Sequence, residues 1–143
     1  MTGKRLIFVS FLTLVMGMTV LAVRASAHHS RAGVYEVGEE KVLTLKGTVA
    51  EWLWRNPHTF LVVDVPDGKG GVVRWAAESS APFTMAGQHG LTKNSWKVGD
   101  QVIIKVMPAR DGRSLGSLYS VQDADGKLTF SDVRRATQGG QLN

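Results

Sequence analysis

Histidines are the residues of this sequence best suited to chemistry, and two of the four stand side by side. His28 and His29 are adjacent, His58 lies near the middle of the chain, and His89 follows later. Imidazole nitrogen is a ligand for zinc, copper, iron and nickel ions. The sequence contains no cysteine, so thiolate catalysis and thiolate metal sites are excluded.

The residues before His28 have the three regions of a secretory signal peptide. Lys4-Arg5 is a basic start, Leu6 to Val23 is an apolar run, and Ala25-Ser26-Ala27 is a small-x-small cleavage site. We therefore predict that residues 1–27 are removed on export. Cleavage would leave His28 as the first residue of a secreted protein with no stable membrane anchor. The alternative is an uncleaved anchor, because the apolar run approaches the length that spans a bilayer.

The net charge argues against nucleic acid as a partner. The chain has 17 basic and 12 acidic residues, and Lys4, Arg5 and Arg24 but no acidic residue lie in the predicted signal peptide. The remaining chain therefore has a net charge of +2. This is far from the strong basic footprint of nucleic-acid-binding domains.

A mature N-terminus at His28 would be a strong metal chelator. Its α-amine and its own imidazole can bind one ion together, and His29 adds a second imidazole. Nitrogen donors of this kind suit Cu(II), which also heads the affinity series of divalent metals. His58 is the predicted third ligand if the N-terminal segment folds back, and His89 is a weaker candidate.

Two alternatives keep His58 and its neighbours out of metal chemistry. In the first, His58 packs beside Trp52 or Trp54 and hydrogen-bonds the turn. In the second, Trp52, Trp54 and Arg55 line a groove for a small ligand or a partner protein, although such tryptophans more often fill a small barrel.

Alternation of apolar residues predicts the strands that position these side chains. The predicted strands are residues 42–54, 60–65, 72–78, 101–107, 114–122 and a short last one at 127–130. Gly47 in the first strand indicates a bend or bulge. A short helix with Pro82 in its first turn follows the third strand, with Ser79 or Ser80 as its cap and Gly87 or Gly90 at its end. Trp96 is the predicted anchor of the connector after it.

Three strands, a helix, then two or three strands is the order of an OB-type barrel. We predict an all-β fold with one short helix, a small OB-like barrel of five or six strands over residues 42–130. Residues 28–41 are a lead-in segment and residues 131–143 a flexible polar tail. The competing fold is a small β-sandwich, but the single helix after the third strand favours the barrel.

Several short motifs together resemble a family of exported bacterial proteins that is classed as a domain of unknown function. They are Ala27-His28-His29-Ser30, Leu45-Lys46-Gly47-Thr48-Val49, Trp54-Arg55-Asn56-Pro57-His58, Val98-Gly99-Asp100 and Pro108-Ala109-Arg110-Asp111-Gly112. The resemblance covers nearly the whole mature chain and implies an exported small β-barrel. It implies no activity.

The functional hypothesis is a periplasmic barrel that binds copper or a similar divalent ion through His28, helped by His29 and His58, as a carrier or accessory protein. The first alternative is a periplasmic module that binds a non-metal ligand or a partner protein at Trp52, Trp54 and Arg55. The second is a copper enzyme with an N-terminal histidine brace, for which the sequence shows no substrate surface.

Overall fold

A computed structural model describes residues 33–132, and six strands and one α-helix follow each other there in the predicted order. The strands are β1 (Leu43–Leu53), β2 (Phe60–Pro66), β3 (Val72–Glu78), β4 (Gln101–Pro108), β5 (Leu115–Asp123) and β6 (Leu128–Ser131). Helix α1 (Pro82–His89) joins β3 to β4. The predicted signal peptide, His28, His29 and nearly all of the predicted tail lie outside the described residues.

The strands form a closed barrel of five strands with β6 added at its side. The strand order is β3-β2-β1-β4-β5-β6, and a parallel pairing of β3 with β5 closes the barrel. All other pairings are antiparallel. This confirms the predicted OB-like barrel over the sandwich, because the ends of the five-strand order are joined.

Strand β1 pairs with both β2 and β4, and it has a bulge close to the residue where these two pairings overlap. Thr48 pairs with Asp64 on β2 and also with Gln101 on β4. The bulge lies just after this point, between Val49 and Glu51. Gly47 serves close approach, because a Cβ there would lie 2.3 Å from the backbone oxygen of Asp64.

The interior is filled by alternate residues of every strand, together with residues of α1 and its connector. The fully or nearly fully buried members are Val49, Leu61, Val63, Ala77, Met85, Leu91, Trp96, Val102, Ile104, Val106, Leu118, Val121 and Phe130. Trp96 is 6% exposed, which confirms it as the anchor of the connector. In the part of the chain that the structure describes, no helix has the length and apolar character to cross a membrane.

The N-cap of helix α1 lies after both serines, Ser79 and Ser80, that were expected to cap it. Its N-cap is Ala81, without a side-chain hydrogen bond, and Pro82 begins the helix. The cap prediction was wrong because Ser79 is held in the ladder, where its N–H donates to the carbonyl of Thr59. Gly90 ends the helix in the left-handed conformation, with φ of 66°.

A second apolar cluster lies on the outer wall of the barrel. It consists of Tyr35, Met107 and Ala109, with Val42 and Leu115 packed against it. Met107 faces outward because the preceding residue of β4, Val106, belongs to the interior. The lead-in segment therefore covers the wall near the junction of β3 with β5.

Candidate functional site

The connection between β1 and β2 holds His58 beside the end of β3. The N–H and the hydroxyl of Thr59 both donate to the carbonyl of Ser80, at 3.0 and 2.9 Å. The N–H of Ser79 donates back to the carbonyl of Thr59 at 2.8 Å. These bonds fix the backbone that follows His58, so the imidazole stands at the start of β2, as the sequence predicted.

The imidazole of His58 contacts the carboxylate of Glu78 through Nδ1 and Oε1. An ionised carboxylate only accepts hydrogen bonds, so this contact requires the proton on Nδ1. Among the described residues the other ring nitrogen, Nε2, has no hydrogen-bond partner. Because the His58 side chain is 43% exposed, Nε2 is available to an external partner.

The second oxygen of the same carboxylate accepts a hydrogen bond from the hydroxyl of Tyr35. Tyr35 is 4% exposed, and the Glu78 side chain is 14% exposed. Glu78 thus links a buried phenol on one side to a half-exposed imidazole on the other. We call these three residues, Tyr35, His58 and Glu78, the Glu78 corner.

The backbone around Tyr35 is fixed to the end of β4. Tyr35 forms an antiparallel bridge with Ala109, and the N–H of Glu36 donates to the carbonyl of Pro108 at 2.8 Å. The side chain of Arg110 adds a hydrogen bond from Nε to the carbonyl of Tyr35 at 3.1 Å. The Glu78 corner therefore joins the lead-in segment to both β3 and the connection before β2.

The sequence predicted His58 but not its two partners. The position of Glu78 near His58 could have been predicted from the hairpin. Pairing β2 with β3 about the turn at residues 67–71 places Phe60 opposite Glu78 and brings His58 near it. Tyr35 carries no such signal, since its segment has no periodicity and its contact crosses the junction of β3 with β5.

The described residues do not hold a metal ion by themselves. Within residues 33–132 there is no group of three or more histidine, cysteine, aspartate or glutamate side chains arranged to bind one. The Glu78 corner offers one imidazole nitrogen, and a metal there needs further donors. His28 and His29, which were predicted as donors, lie outside the described residues.

His89 has a packing role at the end of α1. Its ring meets Phe130 edge to face, with the ring centroids 4.9 Å apart and the planes at 70°. A histidine in the last turn also complements the negative end of the helix dipole.

Trp52 and Trp54 lie half-buried against the barrel core, and Arg55 is exposed beside them. The Trp52 ring meets Trp96 edge to face at 4.7 Å, and its Nε1 donates to the carbonyl of Thr92 at 2.9 Å. Trp54 packs on Trp52 with ring centroids 5.5 Å apart. The ligand-groove hypothesis stays a prediction for this exposed edge.

One ion pair stands on the outer face of β2 and β3, toward the turn that joins them. Arg74 donates from Nε and Nη2 to the two carboxylate oxygens of Asp64, at 2.7 and 2.8 Å. This hydrogen bonding holds the pKa of Asp64 below its ordinary value and raises the pKa of Arg74. The two residues lie directly opposite each other, so the pair is consistent with the register of the hairpin that carries Glu78.

A family model described as a family of unknown function (DUF6152) matches residues 16–118, and the chain belongs to that family. The match runs from before the predicted cleavage site to the middle of β5. No curated protein and no solved structure shows significant similarity to the chain.

Proposed function

We propose that this member of the family is an exported bacterial protein that binds one copper ion through His28, with His29 and His58 as additional ligands. Its role is that of a periplasmic copper carrier or accessory protein. The proposal applies to the chain after removal of residues 1–27, because only a cleaved chain has the α-amine of His28 free to bind the ion.

One observation carries the proposal: Tyr35 and His58 contact the same carboxylate, that of Glu78. The start of the described lead-in segment is therefore beside the predicted third ligand. Six residue-to-residue steps separate His29 from Tyr35, which is a length of up to ~20 Å at ~3.3–3.6 Å per residue when extended. This length of chain permits the proposed ligation of one ion by His28, His29 and His58.

The chemistry of the donors favours copper. The α-amine, the imidazole of His28 and the imidazole of a second histidine are all nitrogen donors, and Cu(II) prefers tetragonal nitrogen and oxygen sites. His58 supports this set, because its Nε2 faces no partner among the described residues, and a neutral imidazole with its proton on Nδ1 has its lone pair on Nε2. The lack of cysteine leaves nitrogen as the main donor type.

The test begins with the intact mass of the exported protein, followed by Cu(II) titration of the same sample. We expect a mass that starts at His28 and one tightly bound equivalent of copper. A mass that retains residues 1–27, or weak copper binding by the mature protein, contradicts the proposal.

Three single variants of the mature protein then identify the ligands. His28→Ala should abolish tight binding, because it removes an imidazole from the chelate. His58→Ala should weaken binding and shift the Cu(II) electron paramagnetic resonance spectrum, because one nitrogen donor is lost. His89→Ala is the matched control and should bind copper as the wild type does, since His89 packs on Phe130. Unchanged affinity in His28→Ala overturns the proposal.

A further inference from the structure

We infer that the outer edge of β3 is a pairing surface for a second copy of this chain, which docks antiparallel with Val73 on the twofold axis. β3 pairs with β2 along its whole length, from Val72 to Glu78. Its other edge pairs with β5 only from Ala76 onward. Residues 72–75 therefore have one edge that no strand of the described chain covers, and we call it the β3 edge.

The hydrogen bonds show which backbone groups point to the β3 edge. The N–H of Ala76 donates away from β2, to the carbonyl of Ser114, at 3.0 Å. Along a paired strand, every second residue directs its N–H and C=O groups to the same edge. Those of Val72 and Arg74 therefore point to the β3 edge. Among the described residues, these four backbone groups have no hydrogen-bond partner.

This pattern is complementary to itself. When two β3 strands meet antiparallel with Val73 opposite Val73, Val72 of each copy lies opposite Arg74 of the other. Each of these two pairs exchanges two N–H···O=C bonds, as hydrogen-bonded antiparallel pairs do. All the unpaired groups of both copies are then used. The two Val73 side chains face each other in a non-hydrogen-bonded pair, the kind in which side chains are closest.

The side chains and charges of the β3 edge also suit a second copy. Val72 is 61% exposed and Val73 is 39% exposed, although both are apolar. Edges that stay unpaired are commonly protected by a lysine, a proline or a bulge, and residues 72–75 contain none of these. The one charged residue there is Arg74, and Asp64 of the same chain already holds its guanidinium. Two copies can therefore meet without an uncompensated charge.

The surface is small, so the dimer should be reversible. Three residues of each copy come into contact, and interfaces that bury less than ~1,200 Å² in total belong to weak or transient complexes. We expect the sedimentation coefficient of the protein to rise with protein concentration up to ~1 mM, the range in which weak complexes form. All samples contain EDTA, so that a dimer bridged by a metal ion is not counted and the test stays independent of the copper proposal.

Single-cysteine variants test the register, because the chain contains no cysteine of its own. Opposed residues of an antiparallel pair have Cβ atoms about 4.5–5.5 Å apart, close to the separation that a disulfide requires. Val73→Cys should therefore form a covalent dimer in oxidised glutathione. Val72→Cys is the matched control, because the two copies of residue 72 lie on opposite sides of the axis with Cα atoms more than ~7 Å apart, too far for a disulfide.

Charge at the axis gives a second test. Val73→Lys places two like charges opposite each other, which destabilises a strand pair, and should abolish the concentration dependence. Val98→Lys is the control for a charge on an exposed valine, since Val98 is 75% exposed and does not belong to β3. It should dimerise as the wild type does.

Two outcomes would overturn the inference. One is a wild type that stays monomeric at every concentration up to ~1 mM. The other is equal crosslinking of Val72→Cys and Val73→Cys, which would mean that the copies do not meet in this register. The wild-type measurement does not require any variant to fold, and circular dichroism checks the fold of each variant.

Discussion

Tyr35 and His58 contact opposite oxygens of one carboxylate, that of Glu78, although they belong to different parts of the chain. Tyr35 comes from the segment before the barrel, and His58 comes from the connection between its first two strands. The carboxylate stands at the last residue of β3. This one charged group therefore links the lead-in segment, β3 and the connection before β2 through side-chain contacts.

Removing the hydroxyl of Tyr35 should destabilise the fold measurably. Tyr35→Phe keeps the buried ring but removes the hydrogen bond from the hydroxyl to Glu78. A hydrogen bond to a charged group contributes about 1.5–3 kcal/mol. We expect a loss of that size in the free energy of unfolding, measured by urea denaturation. The other tyrosine provides the control, because the hydroxyl of the half-buried Tyr119 makes no hydrogen bond with the described residues. Tyr119→Phe should stay within ~0.5 kcal/mol of the wild type.

Two glycine substitutions should change the stability of the protein in opposite directions. Gly47→Ala places a Cβ 2.3 Å from the backbone oxygen of Asp64, which cannot move without displacing β2. We expect a loss of about 1–3 kcal/mol or more, as for other overpacked sites. Gly87 lies inside α1 with open space around the added Cβ. Gly87→Ala should therefore stabilise the protein, by about 0.5–1 kcal/mol.

Thermal and urea unfolding of both glycine variants would check this pair. Equal effects of the two substitutions would contradict the close approach of β1 and β2 at Gly47.

The ion pair of Asp64 with Arg74 should give a pH-dependent contribution to stability. The folded-state pKa of Asp64 lies below its ordinary value of 3.8. The contribution is therefore present above the ordinary value and is lost as the pH falls through the folded-state pKa. Asp64→Asn should be less stable than the wild type near about pH 6, and this difference should shrink toward about pH 2.

Because the pair is exposed, its effect is small and should weaken further in high salt. In an Arg74→Gln background, Asp64→Asn should lose this pH dependence, since the interaction no longer exists. A difference that stays constant with pH in urea titrations would rule out the ion pair as its source.

Because of its indole N–H hydrogen bond, Trp52 should contribute more to stability than its neighbour Trp54. Both rings are half-buried against the core, but only Trp52 donates a hydrogen bond, to Thr92, among the described residues. Trp52→Phe should therefore destabilise the protein by about 1 kcal/mol more than Trp54→Phe does. Denaturant unfolding followed by circular dichroism measures both, and equal losses would mean that the bond to Thr92 contributes nothing.

The barrel was predictable because its signals are local. Alternation from Phe60 to Val65 and from Val72 to Glu78, with a glycine-rich turn between them, encodes the hairpin and its register. The order of strands around one helix then selects the OB-like arrangement. The cap of α1 was not predictable in the same way, because tertiary pairing of Ser79 with Thr59 overrides the local preference of serine for helix starts.

The site was predictable only in part. His58 could be placed because proline and a strand start flank it, and Glu78 follows from the hairpin register. Tyr35 could not, because it reaches Glu78 across the junction of β3 with β5 from a segment without periodicity. A long-range contact made by a single side chain produces no periodic pattern in the sequence from which it could be predicted.

The short parallel junction of β3 with β5 also has a consequence for how the chain folds. The sheet consists of two meanders, β1–β2–β3 and β4–β5–β6, whose internal contacts are local. The pairing of β1 with β4 and the three-pair junction of β3 with β5 join residues that are distant in sequence. Long-range pairings of this kind form slowly. We expect the contact of Tyr35 with Glu78 to form after the junction of β3 with β5 has closed, so that it stabilises the closed barrel. Tyr35→Phe should then speed unfolding and leave the folding rate almost unchanged, the signature of a contact made after the transition state.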